Sequence, residues 1–176
     1  LVLSLLPLAA LGAKKSAGDT FQVFHSKSLA APVKLQDATY DQLTTAPRNH
    51  SAAILLTALE AKYGCQLCRE FQGEWDILAR SWTKGDKQGA SRLVYGTLDF
   101  ADGRGTFQSL GLQTAPVILL FRPTVGPHAV ADTNPLRFDF TSGPQSAEQV
   151  HAWIARNLPD RPHPEIYRPI NWIRII

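Results

Sequence analysis

The stretch that most restricts this chain is Ala52–Ala58, AAILLTA, an apolar run of strand length. Beyond Tyr63-Gly64, apolar residues recur at Leu67, Phe71, Trp75, Leu78 and Trp82. An almost unbroken apolar strand has no face to give to water, so it belongs inside a sheet covered on both sides. The later steps of four, four, three and four keep one helical stripe facing inward. A doubly covered strand feeding an amphipathic helix points to an α/β layer arrangement.

The rest of the chain alternates in the same way. Val33-Lys34-Leu35 predicts a short strand, and Asp37 the N-cap of a helix that runs through Tyr40 and Leu43 and stops before Pro47. Leu93–Phe100, LVYGTLDF, returns to strand character before a turn at Asp102-Gly103 and Gly105. A short helix over Thr106–Leu110 ends at Gly111, which can take the left-handed C-terminal conformation. Val117–Phe121, VILLF, is a second buried strand, directly after Pro116. Leu136, Phe138 and Phe140 alternate with Arg137 and Asp139 as a half-buried strand, after a long Pro- and Gly-rich loop over Arg122–Pro135. Ser146 and Gln149 form a capping-box pattern for a last helix that buries Val150, Trp153, Ile154 and Leu158 before Pro159. The expected fold is α/β, a mixed central sheet flanked by helices on both faces, with parallel units first and an antiparallel pair late.

At 176 residues the chain has room for one domain, and 44% hydrophobic against 19% charged residues excludes wholesale disorder. The net charge of +3 is small and scattered, which excludes a nucleic-acid footprint. Leu1–Leu11, LVLSLLPLAAL, followed by Gly12 and the pair Lys14-Lys15, reads as the remnant of a secretory leader over residues 1–13. The competing N-terminal core helix is opposed by Pro7, and eleven apolar residues fall short of the roughly 20 that span a bilayer. No methionine occurs, so the chain is expected to be a fragment or trimmed product. Asn49-His50-Ser51 is a candidate glycosylation sequon, a weak signal alone. Residues 14–160 form the expected body. Residues 161–176 form a linker, with Arg161–Arg168 expected as an extended tether rather than part of the core, because Pro162, Pro164 and Pro169 interrupt any helix.

Chemistry centres on the only two cysteines, Cys65-Gln66-Leu67-Cys68, at the junction of the apolar strand and the striped helix. A thiol at a helix start faces unpaired backbone N–H groups and the positive end of the macrodipole, both of which favour the thiolate. This makes Cys65 the attacking thiol and Cys68 the resolving one. A static disulfide, half of a metal site and two inert core thiols are the competing readings. A zinc site needs further ligands, and the five histidines show no ligand-like spacing. Thr114-Ala115-Pro116, ahead of a buried strand, suits a cis proline that presents the preceding backbone beside the sulfurs as a template for an extended peptide.

The arrangement resembles a thioredoxin-like fold. YGCQLCREF, LARSW, LDFADGRGTFQSLGLQTAPVILLF and RPINWIRI together resemble the luminal domain of the thioredoxin-like subunit of the eukaryotic oligosaccharyltransferase, in its fungal form. The resemblance implies a domain in the lumen of the endoplasmic reticulum, anchored by membrane helices that follow it. It implies transient mixed disulfides with nascent, cysteine-bearing secretory polypeptides, and other subunits of the complex as partners. The matching positions are Cys65, Cys68 and Pro116, with Gln66, Leu67, Thr114 and Ala115 as expected peptide contacts. No metal, cofactor or nucleic acid is expected. Two departures stand out: Gln66-Leu67 replaces the Gly-Pro or Gly-His of general thioredoxins and isomerases, and AAILLTA lacks the buried carboxylate usual in thioredoxins, Glu60 and Glu70 being placed in solvent.

The expected function is therefore an accessory, client-tethering subunit that supports N-glycosylation without transferring the glycan. A free-standing luminal disulfide oxidoreductase or isomerase, and a redox-silent thioredoxin-like binding module, are the alternatives. Membrane helices beyond Ile176 would favour the subunit, and a luminal-retention signal the isomerase.

Overall fold

The computed structural model describes residues 17–169. The expected leader over 1–13 and the final apolar residues from Ile170 lie outside the described residues. The element order is α1 (Ala17–Ser28), β1 (Val33–Lys34), α2 (Asp37–Thr44), β2 (Ser51–Thr57), a 3-10 turn (Ala61–Tyr63), α3 (Gln66–Gly85), β3 (Leu93–Asp99), α4 (Arg104–Ser109), β4 (Val117–Phe121), β5 (Leu136–Asp139) and α5 (Ala147–Asn157).

The five strands form one sheet in the order β1-β3-β2-β4-β5. β1 and β2 both run parallel to β3, while β4 is antiparallel to β2 and β5 antiparallel to β4. This is the mixed sheet expected from the sequence. β2 is central and fully buried, as an apolar run on both faces requires. Its alternate side chains divide the core: Ala53 and Leu55 pack with Phe71, Trp75, Leu78, Trp82, Val150 and Ile154 from α3 and α5. Ala52, Ile54 and Leu56 pack with Phe21, Phe24, Leu35, Tyr40, Leu43 and Phe107 on the opposite face.

α1 was not expected from the sequence. Its buried residues Phe21, Phe24, His25 and Ser28 fall at steps of three, one and three, a helical stripe that closes the β3 side of the sheet. Asp37 is a second correction. It is the first residue of α2, not its cap; Gln36 precedes the helix, and its N–H donates to Thr39 Oγ1 at 2.8 Å. The Asp37 carboxylate instead accepts from the Thr106 N–H at 2.8 Å and the Thr106 hydroxyl at 2.6 Å, at the start of α4. Those bonds hold the Asp37 carboxyl below the usual carboxylate range.

The loop between β4 and β5 is pinned by Arg48, which is 2% exposed. Its guanidinium donates to the carbonyls of Arg122, Thr44 and Thr133 at 2.7, 2.8 and 3.1 Å. Burial without a carboxylate lowers its pKa, and the three carbonyls supply the stabilisation that water would otherwise give.

The C-terminal segment corrects the expectation of a free tether. Residues 162–169 carry no helix or strand, as the prolines dictate, yet they lie against the body. Pro164 covers Gly85, where a Cβ would meet it at 2.6 Å, and its carbonyl accepts from His151 at 2.8 Å. Tyr167 N–H donates to Ser81 Oγ at 3.0 Å. Arg168 then forks to Glu74 of α3 at 2.7 Å and Glu148 of α5 at 2.6 Å.

Candidate redox site and adjoining groove

Gly64 makes the site possible. With φ at 62° it closes the 3-10 turn in the left-handed conformation and delivers Cys65 to the N-cap of α3. Cys65 and Cys68 are joined by a disulfide. The Cys65 sulfur also accepts the Cys68 backbone N–H at 3.1 Å, one of the donors that a helix start leaves unpaired. The same donor and the α3 macrodipole would stabilise negative charge on Cys65 once the disulfide opens. Exposure separates the two sulfurs: Cys65 is half-buried, whereas Cys68 is 0% exposed. An incoming group can reach only the first.

The Ala115–Pro116 peptide bond is cis, matching the sequence expectation, and the Ala115 carbonyl oxygen lies 3.5 Å from Cys65 Sγ. Thr114 is exposed and Ala115 half-buried, while Pro116 is buried behind them. Among the described residues, no backbone hydrogen bond engages the Thr114 or Ala115 N–H. Their polar backbone is therefore free to pair with an extended segment.

A groove of about 460 Å³ opens from this point, lined by Tyr63, Cys65, Phe100, Phe107, Leu112 and Thr114 among others. Its floor is an aromatic chain. Tyr63 meets Phe100 edge-on at 5.1 Å between ring centres, and Phe100 meets Phe107 at 5.3 Å. Arg104 braces the rim, its guanidinium 5.2 Å from the centre of Phe100 and donating to the Tyr63 hydroxyl at 3.0 Å.

Of the residues picked out from the sequence, Cys65, Thr114 and Ala115 thus meet in one place, with Cys68 and Pro116 behind them. Gln66 and Leu67 do not line the groove. Gln66 donates to Glu70 at 2.8 Å on the solvent side of α3, and Leu67 packs toward the α3–α5 core. The groove residues Tyr63, Phe100, Phe107 and Leu112 escaped sequence reasoning. Their signal was position, since each follows or neighbours the C-terminal end of a parallel strand, where α/β sheets form ligand sites.

Asn49 lies apart from the site, at the entry to β2. Its side-chain oxygen accepts from Arg92 Nη2 at 2.9 Å, and its carbonyl from Arg92 Nε at 3.0 Å. His50 and Ser51 are each 1% exposed. Glu60 and Glu70 are exposed, as expected. Among the described residues, no three His, Cys, Asp or Glu side chains gather at metal-binding distances, and no helix is long and apolar enough to cross a membrane.

Comparison with known proteins supplies a family and a fold. Residues 20–176 match the model of the OST3 / OST6 family, transporter family. Over 154 residues the chain is 32% identical to the dolichyl-diphosphooligosaccharide–protein glycosyltransferase subunit MAGT1 of Danio rerio, covering 86% of this chain and 44% of that one. It is 21% identical to subunit 3 of the same-named transferase of Saccharomyces cerevisiae, over 86% of this chain and 45% of the relative. The chain thus spans less than half the length of these curated relatives. Among solved structures, the Trx4 domain of ERdj5 superposes with a TM-score of 0.51 at 17% identity, covering 73% of this chain and 96% of that domain. A thioredoxin from Halobacterium salinarum gives 0.51 at 15%, covering 76% and 96%. The fold is thioredoxin-like.

Proposed function

The chain belongs to the OST3/OST6 family, and from that membership and the exposure asymmetry of its cysteines we propose that it is the client-holding domain of an oligosaccharyltransferase subunit. Its relatives are named as subunits of the glycosyltransferase, which supports fellow subunits as partners and a station at the endoplasmic reticulum membrane. In this reading the domain faces the lumen, and a membrane-embedded part of the full-length protein anchors it. It binds nascent polypeptides and leaves glycan transfer to another subunit.

The proposed cycle balances without an outside oxidant. A client thiolate attacks Cys65 Sγ, the Cys65–Cys68 bond breaks, and a client–Cys65 disulfide forms as Cys68 leaves as a thiolate. Cys68 then attacks Cys65, restores the internal disulfide and returns the client thiol. Between those steps the client is held covalently, while its neighbouring residues rest on Thr114–Ala115 and the aromatic floor. Neither a charge nor a proline sits between the sulfurs, and β2 presents no carboxylate toward them, so deprotonation of the resolving thiol gets little help. A slow release step suits retention better than rapid turnover. The single observation that carries the reading is the half-buried Cys65 beside the free backbone of Ala115, with Cys68 sealed behind it.

The test is site-by-site sequon occupancy, by mass spectrometry, in cells carrying wild-type or Cys65→Ser protein at equal abundance. Occupancy should fall chiefly at sequons near cysteines whose disulfides close over them. A uniform fall would indicate failed assembly. Rapid turnover of a model disulfide by the isolated protein would favour a free-standing isomerase, and unchanged occupancy a redox-silent binding module.

A further inference from the structure

Away from the disulfide, the C-terminal half of α3 carries a second surface. A concavity of about 430 Å³ is lined by Arg80, Thr83, Lys84 and Lys87, with Leu29 and Ala30 as its apolar wall. A smaller one of about 190 Å³ adjoins it through the shared Arg80 and Lys84, and is completed by Ile77, Ser81, Tyr167 and Pro169. No carboxylate lines either hollow, and among the described residues none of the three cations has an ion-pair partner. Tyr167 is 63% exposed and Leu29 48%, and Lys84 Nζ lies 5.1 Å from the Tyr167 ring centre. The α3 macrodipole accounts for a cation in the last turn, but not for exposed Tyr and Leu converging on three cations.

We infer that this face rests on a lipid bilayer, its cations at the level of the headgroup phosphates and Tyr167 in the interfacial layer. Two observations choose a membrane over an acidic protein. The last described residue reaches this face, since Pro169 lines the smaller hollow, and the sequence continues Ile170-Asn171-Trp172-Ile173-Arg174-Ile175-Ile176, rich in interfacial and apolar residues. The side-chain set also matches an interface, with long cationic stems that keep their charges at phosphate depth beside an amphipathic aromatic. The surface is independent of the thiol chemistry but orients it. Cys65 sits fifteen residues before Arg80, or about 22 Å along the α3 axis, so a docked domain keeps its disulfide within that distance of the headgroups.

The test is flotation of the 176-residue chain with phosphatidylcholine vesicles, with and without about a fifth of phosphatidylinositol, at low and high salt. Binding should require the anionic lipid and weaken with salt. The exposed triple change Arg80→Glu, Lys84→Glu, Lys87→Glu should lower it roughly a hundredfold while leaving the melting transition unchanged. Lys34→Glu, an exposed cation on β1, should leave binding intact. The proposal is overturned if wild-type chain ignores anionic vesicles, if the triple variant binds as wild type does, or if Lys34→Glu costs as much. Binding to soluble polyglutamate as tight as to vesicles would assign the face to an acidic polypeptide instead. None of these results touches the Cys65 chemistry, so the two readings fail separately.

Discussion

Cys65 Sγ lies 3.5 Å from the carbonyl oxygen of Ala115, fifty residues further along the chain. This closeness joins the two halves of the site. A segment pairing with the backbone at Thr114–Ala115 would carry its own side chains past the sulfur, so that in the proposed cycle non-covalent docking and disulfide exchange act on one stretch of client. In that cycle the helix start would activate Cys65, and the turn before β4 would present the client to it.

The first prediction follows from exposure. Cys68→Ser should accumulate mixed disulfides on non-reducing gels with polypeptides that bring a disulfide of their own, because the Cys65 thiolate attacks one client sulfur, the other leaves as a thiolate, and no resolving thiol remains to release the client. Cys65→Ser should accumulate none, since Cys68 is 0% exposed. Equal trapping by both variants, or by neither, would overturn the assignment.

The groove makes a separate prediction. Tyr63 is half-buried and outside the main core, so Tyr63→Ala should leave folding intact while removing one wall beside Cys65. Affinity for extended apolar peptides should drop about tenfold, as for a central aromatic contact, while exchange with a small dithiol is unchanged. Fluorescence anisotropy with a labelled peptide, alongside thiol kinetics, separates the two effects. Parallel losses would mean that Tyr63 shapes the disulfide rather than the client surface.

Local patterns made much of this legible. The bounds of β4 coincide with the run VILLF, and β2 is shifted by a single residue from AAILLTA, because runs buried on both faces leave a strong composition signal. The Ser146–Gln149 capping box is present, with Ser146 N–H donating to Gln149 Oε1 at 2.7 Å. The placement of Cys65, Cys68 and Pro116 was readable because each stands at the start of an element, the cysteines at α3 and the proline directly before β4. What escaped was mostly long-range. Asp37 capping α4, Arg48 holding the β4–β5 loop and Arg168 reaching Glu74 each join residues more than sixty positions apart, where polar side chains carry no period that names a partner. The groove floor gathers Tyr63, Phe100 and Phe107 from three segments. α1 had a local stripe, but two of its four buried members, His25 and Ser28, are polar, which weakens the apolar periodicity.

Asn49 yields a prediction about timing. Glycan transfer to a sequon needs a flexible segment, yet Arg92 binds both oxygens of Asn49, and Ser51 is buried within β2. We propose that Asn49 accepts a glycan only before β2 pairs with β3. Folded chain given active transferase should remain unmodified at Asn49, and unfolded chain or a peptide spanning the sequon should be modified. Mass spectrometry of the tryptic peptide reads the difference, and modification of the folded chain would show that β2 frays at its start.

The last prediction concerns the strap over residues 161–169. Ile166 packs toward the α3–α5 core, and Tyr167 bonds to Ser81, so deletion after Pro159 should destabilise the domain by about 2 kcal/mol, or roughly 4–8 °C in melting temperature. Arg168→Ala alone should cost about 1 kcal/mol or less, because the pairs are exposed and solvent-screened. The pH dependence identifies that share. Hydrogen bonds from Arg168 pull Glu148 from its ordinary 4.5 down to about 2, and lower Glu74 in the same direction. A carboxyl with a depressed folded pKa stabilises above its unfolded value and loses that contribution as the pH falls toward the folded one. The melting gap between wild type and Arg168→Ala should therefore be constant above about pH 5 and close between pH 4.5 and 2. Scanning calorimetry in buffers across that window measures it. A gap unchanged down to the acid end would mean that apolar contact and the Tyr167–Ser81 bond hold the strap, with the Arg168 fork as ornament.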